Sequence, residues 1–256
     1  MTSPARVLAI LNLFTEERAV WHTDDINEAM GYTRATGYRY VKDLVEAGFL
    51  QKVSGGRYSL GARIIELDYR LRRSDPVLLA AVPVMDEMAR KARMDAVLTT
   101  MFGMKIIDIY RASADSSLQL GYGRGRPRPL FAGASPKVIL SCTPRPQLVK
   151  IYEANAAEAR KHGLGSSWTD FRAYLSNVRK QGFYWSMGEL EEAVGGMAVP
   201  LLNEDGEALA ALALVGTHEV LLAMGEARMR AMLARASDEI GKRLADGVQP
   251  PGANMA

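Results

Sequence analysis

Apolar residues near the start of the chain recur at helical spacing: Val7, Ile10, Leu11 and Phe14 form one stripe. A second helical segment opens near Thr23-Asp24-Asp25, where acidic residues suit a helix N-terminus, and places Ile26, Ala29 and Met30 on one face. Gly31 ends it. Thr33 then caps a third helix, which runs to about Ala47 and is closed by Gly48. Beyond Gly48 the helical period gives way to alternation. Phe49 to Val53, the turn Ser54-Gly55-Gly56 and Arg57 to Leu60 predict a β-hairpin. A fourth helix, Ala62 to Arg73, carries Ile64, Leu67 and Leu71 on one side, and Asp75-Pro76 breaks the pattern.

From Pro76 a helix runs to about Arg93, with Leu78, Val82, Met85 and Ala89 inward. Strand patterns follow at 97–102 and 105–111 around Gly103-Met104, and a further strand is expected over Leu118 to Tyr122. A second hairpin joins 197–202 to 208–215 through Asn203-Glu204-Asp205-Gly206. Helical patterns cover 136–141, 146–158, 168–181 and 226–245. Hairpins with helices grouped around them predict an α+β fold with an antiparallel sheet, not a doubly wound parallel one.

The third helix has two unlike faces. Gly37, Val41 and Leu44 point to a core, while Arg34, Ala35, Tyr38, Arg39 and Lys42 project from the other side. A short helix, a glycine turn and a second helix with a basic outer face form a helix-turn-helix, and the following hairpin forms a wing. Arginine and lysine in that position reach phosphates and guanine edges of double-stranded DNA. The expected DNA contacts are Thr33, Arg34, Ala35, Thr36, Tyr38, Arg39 and Lys42, with Arg57 and Lys52 on the wing. Residues 1–74 hold 11 Lys/Arg against 9 Asp/Glu, so the reading rests on arrangement and not on bulk charge. Arg70, Arg72 and Arg73 favour the C-terminal end of their helix.

Composition narrows the remaining choices. The chain has 256 residues, 48% of them hydrophobic, and a net charge of +3, which permits nucleic-acid binding without requiring it. Cys142 is the single cysteine and the three histidines lack metal-ligand spacing. No metal, cofactor or disulfide is therefore expected, and no run approaches the length of a membrane span. A cytoplasmic protein is the simplest expectation. An enzyme would need a nucleophile and base, paired carboxylates or a metal cluster. Glu189, Glu191 and Glu192 are acidic neighbours, which a charged loop explains equally well. Gly121-Tyr122-Gly123 imitates a dinucleotide fingerprint, but Pro127 and Pro129 forbid the helix that motif must open. The alternatives left open are an enzyme of the C-terminal domain and a first domain that binds protein in place of DNA.

In the order and spacing of several segments the chain resembles the IclR family of transcription regulators. These segments are Arg6 to Phe14 with Asp25 to Gly48, the wing Gly56-Arg57-Tyr58-Ser59-Leu60-Gly61, and Arg128-Pro129-Leu130-Phe131-Ala132-Gly133-Ala134-Ser135-Pro136-Lys137. The last is Val178 to Phe183 through Glu189 and Ala198-Val199-Pro200 to Asp205-Gly206-Glu207 and Ala210-Ala211-Leu212. Asn27 departs from the pattern, standing where such helices usually carry a small apolar residue. The resemblance implies a winged helix-turn-helix over 1–60, a linker helix over 61–74, a GAF-like effector-binding domain over 75–246 and a flexible tail over 247–256. It also implies a homodimer or homotetramer on a roughly palindromic operator.

The family's effector pocket corresponds to Phe131, Gly133, Ala134 and Ser135, to Ser186 and Glu189, and to Gly196, Ala213 and Val215. Ser or Ala near the cap and Pro136 at the first helical position would present free N–H groups to a carboxylate. Arg126, from the cluster Arg124, Arg126 and Arg128, is expected to pair with the ligand. Gly196, Ala213 and Val215 replace the family's polar groups, and Trp185 lies close in sequence. A larger, more apolar effector such as an aromatic acid follows, though Trp185 serves a plain core equally well. Effector binding would change the spacing of two DNA-binding heads through the helix over 62–73, with its sign, activator or repressor, left open.

Overall fold

The computed structural model describes residues 3–113, 121 and 123–247. The chain divides into two compact units, Met1–Ser74 and Asp75–Ala256.

The first unit begins with α1 (Ser3–Ala9), which tightens into a 3-10 turn over Ile10–Leu13, so Phe14 leaves the helical stripe and is extended. Then come β1 (Trp21–His22), α2 (Thr23–Met30), α3 (Arg34–Glu46), β2 (Leu50–Val53), β3 (Arg57–Leu60) and α4 (Arg63–Ser74). Gly31 takes φ +63° at the end of α2, a left-handed conformation that glycine adopts without a Cβ penalty. β1 was not expected. Its two residues pair with β3, making the hairpin a three-stranded sheet of order β1-β3-β2. Ile10, Trp21, Ile26, Tyr40, Val41, Leu44 and Leu50 form one buried core.

The second unit opens with α5 (Pro76–Ala92), capped by the Asp75 carboxylate, which accepts from Val77 N at 2.8 Å and Leu78 N at 3.2 Å. It continues with β4 (Asp95–Phe102), β5 (Lys105–Ala112), β6 (Pro127–Arg128), α6 (Ala134–Ser141), α7 (Arg145–Lys161) and α8 (Trp168–Gln181). β7 (Tyr184–Met187), β8 (Val194–Leu202), β9 (Ala208–Thr217), α9 (His218–Met224) and α10 (Glu226–Ala245) complete it. Of the strand expected at Leu118 to Tyr122 only Gly121 is described, and it lies in a bend and not a strand; the tail beyond Gly247 lies outside the described residues. β6, β7 and α9 are elements the pattern did not predict.

The six strands form one antiparallel sheet of order β6-β5-β4-β9-β8-β7. Its two faces are both buried, so β9 reads as an almost unbroken apolar run. Ala210, Leu212 and Leu214 meet α5 and α10, whose stripe is Met229, Leu233, Ala236 and Ile240. Ala211, Ala213 and Val215 face the other way, onto Val138 and Ile139 of α6 and Val178 of α8. Phe131 packs edge-on against Phe171 in a third cluster with α7 and α8.

Candidate functional site

The outer face of α3 forms first, from local chemistry. Thr33 Oγ1 accepts from Thr36 N at 3.4 Å, which stops the chain fraying where the helix begins. Gly37, Tyr40, Val41 and Leu44 face the core, so Arg34, Ala35, Tyr38, Arg39 and Lys42 are exposed together, with Thr33 exposed and Thr36 half-buried. Tyr40 was missed as a core residue; its ring meets Tyr32 edge-on at 5.5 Å and its hydroxyl bonds Ser3 Oγ at 3.0 Å. Arg34 lies 5.5 Å from the Tyr38 ring and Arg39 5.4 Å from that of Tyr40. On the wing, Lys52 is exposed, and Arg57 is exposed with its Nε donating to Ser54 O at 3.2 Å.

In the second unit a cleft opens between the α6 face of the sheet and the loop after β7. Its cavity volume is about 40 Å³, and it is lined by Val97, Val194, Ala213 and Val215 as apolar walls. Asp108, Arg111 and Arg128 provide polar groups on one side; Ser135 and Ser186 provide them on another. Gly133, Ala134, Leu190, Glu191, Gly195 and Gly196 complete the lining. Gly196 is needed for space: a Cβ there would sit 2.9 Å from Leu214 O.

Of the expected effector residues, Gly133, Ala134, Ser135, Ser186, Gly196, Ala213 and Val215 are brought together in this cleft. Four are not. Arg126 is exposed and donates to Gly121 O at 2.6 Å; Arg111 and Arg128 take the position it was assigned. Phe131 is only 1% exposed and belongs to the core. Trp185 packs on the α5–α10 side because neighbours on a strand point to opposite faces. Glu189 stands behind the cleft wall and accepts at Oε2 from Gly133 N at 2.9 Å and Lys137 Nζ at 2.5 Å.

The α6 cap also differs from expectation. Gly133, at φ +87°, is the N-cap, and Pro136 is the third helical residue, not the first. Proline fits there because no N–H is required in the first turn. Glu189 already satisfies Gly133 N–H, so Ala134 and Ser135 hold the N–H groups without a helical partner.

Behind the wall, Lys137 is 3% exposed and ion-paired to Glu189. Tyr184 Oη donates to Glu189 Oε1 at 3.1 Å and accepts from Lys137 Nζ at 3.0 Å and Tyr174 Oη at 2.9 Å. Burial, Tyr174 and Glu189 hold the Tyr184 hydroxyl well above its ordinary pKa. Buried acids lie behind the two cleft arginines. Asp95 pairs with Arg111, whose Nε is 2.7 Å from Oδ2, and Asp108 pairs with Arg128 at 3.3 Å. Burial pushes the Asp108 carboxyl up, against the opposing pull of Arg128 and the Thr99 hydroxyl. Asp108 carried one signal in the sequence, a lone carboxylate in the inward phase of an otherwise apolar strand.

Among the described residues no helix is long and apolar enough to cross a membrane.

Comparison with known proteins agrees with both units. The IclR helix-turn-helix domain matches residues 3–54, and the bacterial transcriptional regulator IclR C-terminal domain matches 72–242. The transcriptional regulator KipR of Bacillus subtilis is 27% identical over 213 residues, 82% of this chain and 83% of KipR. A putative IclR regulator from a Silicibacter species has a TM-score of 0.79 at 24% identity, covering 98% of each chain. An IclR homologue from Microbacterium hydrocarbonoxydans, solved with 4-hydroxybenzoate, has a TM-score of 0.73 at 23% identity, covering 96% of this chain and 100% of its own. The chain belongs to the IclR family: it is a transcriptional regulator with a helix-turn-helix domain and a C-terminal ligand-binding domain.

Proposed function

We propose that this regulator binds operator DNA through the exposed face of α3 and the wing, and that an organic acid with an apolar, aromatic body controls that binding from the cleft. In this reading residues 1–60 are the DNA-binding head, 61–74 the linker helix and 75–246 the effector domain. Thr33, Arg34, Ala35, Thr36, Tyr38, Arg39, Lys42 and Arg57 contact the duplex, the cations through phosphates and base edges. Two heads in a homodimer, or four in a tetramer, read a two-fold operator.

The observation that carries the effector class is the chemistry of the cleft: four apolar walls with hydroxyls and helix N–H groups at one margin. The Ser135 and Ser186 hydroxyls are buried and have no protein partner among the described residues. With the Ala134 and Ser135 N–H groups they form a donor set suited to a carboxylate. The complex of the Microbacterium homologue with 4-hydroxybenzoate is consistent with an aromatic acid. Leu190 closes tightly on Gly133, where a Cβ would meet its Cδ1 at 2.8 Å. Control requires that the acid bind two arrangements of the oligomer with different affinity.

Fluorescence anisotropy on the intergenic DNA beside the protein's own gene, at several salt concentrations, tests the reading. Wild type binds with an affinity that falls steeply with salt, Arg39→Ala loses specific binding, and an aromatic acid shifts the wild-type curve. Well-folded protein that binds no DNA at low salt, with or without acids, overturns it.

A further inference from the structure

A separate groove opens at the far end of α6. That helix is buried along its whole length; its first two residues line the cleft, and its last, Ser141, lines a groove of about 370 Å³. The cleft and the groove share no lining residue. The start of α7, one face of α8 and the turn between β8 and β9 supply the other walls of the groove. A volume of this size suits a small molecule.

Three arginines meet in the groove. Arg145 is the first residue of α7, and Arg172 and Arg179 lie on α8. The latter two are seven residues apart, which places them on one helix face with about 10 Å between them along the axis. Among the described residues Arg145 and Arg172 make no hydrogen bond or ion pair. Arg179 donates from Nη2 to Gly206 O at 3.2 Å, which uses one of its five N–H groups. Asp205 and Glu207 line the groove too, yet among the described residues no ion pair joins either of them to an arginine. α7 begins here without a side-chain cap, so the positive end of its dipole adds to the three charges. Cations gathered this closely repel one another until an anion enters.

We propose that this groove is a second ligand site of the C-terminal domain, and that it takes a small phosphorylated molecule whose anionic groups are held by Arg145, Arg172 and Arg179. The guanidinium fork matches the oxygens of a phosphate, and three such forks balance a multiply charged group better than a single carboxylate. Asp205 and Glu207 keep the ligand short: they repel the further charges of an extended polyanion and accept hydrogen bonds from hydroxyl groups on a compact one. The half-buried Trp168 ring gives the uncharged part of the ligand an apolar wall.

Calorimetric titration of the full chain with inorganic pyrophosphate and with acetate is the test, pyrophosphate offering two phosphate groups to the spaced arginines. Wild type binds pyrophosphate at least about tenfold more tightly than acetate. Arg145→Ala and Arg172→Ala each weaken pyrophosphate binding about ten- to a hundredfold. Both side chains are exposed, so their removal leaves the fold intact. Arg172→Lys keeps the charge and loses the fork, and it recovers only part of the affinity. Arg39→Ala, on the exposed face of α3, leaves pyrophosphate binding unchanged. Wild type that binds pyrophosphate no better than acetate overturns the inference, as does binding that survives both Arg145→Ala and Arg172→Ala. Binding lost in Arg39→Ala would place the anion on the first unit and overturn it as well.

Discussion

Asn27 occupies the space that Gly37 leaves empty: a Cβ built on Gly37 would lie 1.4 Å from Asn27 Oδ1. The two residues sit on α2 and α3, so this contact sets how closely α3 docks on α2. It also explains the departure noted at residue 27. A larger polar side chain is accommodated because residue 37 has none, and its Oδ1 is left buried without a hydrogen bond. Gly37→Ala is therefore expected to cost about 2 kcal/mol by overpacking and to weaken DNA binding by tilting α3. In an Asn27→Ala background the same change becomes neutral or stabilising by up to about 1 kcal/mol, since alanine favours the helix. Urea denaturation of the four proteins checks this; simple additivity of the two changes would refute the coupling.

Salt dependence resolves the role of single cations on α3. Lys42→Ala, which removes an exposed ammonium 3.5 Å from Glu46, is expected to reduce the slope of log K against log salt by about 1. An unchanged slope would place Lys42 away from the phosphates.

The Lys137–Glu189 pair ties the loop after β7 to α6. Lys137 is almost fully buried, so Glu189→Gln leaves an uncompensated ammonium in the protein and is expected to cost about 3 kcal/mol. Lys137→Met in the same background recovers part of that loss. A loss under about 1 kcal/mol in the single variant would mean that the pair is solvated in solution.

Trp185 separates the cleft from the core. Because it packs on the α5–α10 side of the sheet, Trp185→Phe is expected to change benzoate affinity by less than about threefold. A large loss of affinity with stability intact would return this residue to the ligand site.

Alkaline titration reports on Tyr110. Its hydroxyl donates to Asp86 Oδ1 at 2.7 Å, and burial together with that carboxylate pushes its pKa from 10.0 up to about 12. A raised folded pKa means stability that is complete below the unfolded value and lost as pH rises through the folded one. The contribution of Tyr110 is thus expected to fade between pH 10.0 and about 12. Tyrosinate absorbance should show one step near the top of that window in the wild type, absent in Tyr110→Phe.

Local pattern alone determined much of the protein. The helices over 168–181 and 226–245 and both hairpins follow from spacing and turn residues, because helical period, strand alternation and the left-handed backbone of Gly31 and Gly182 are properties of neighbouring residues. The two-faced pattern of α3 was legible for the same reason. Tertiary structure decided what local pattern cannot encode. The two-residue strands β1 and β6 have no stability alone and exist only because β3 and β5 offer free edges. Register against β8 decides that Ser186 enters the cleft and Trp185 does not. The strand order β6-β5-β4-β9-β8-β7 sets Asp108 and Ser186 on the two sides of one cavity across 78 residues of chain. Sheet pairing joins residues by hydrogen bonds between distant segments, and no spacing along the chain records which segments will meet.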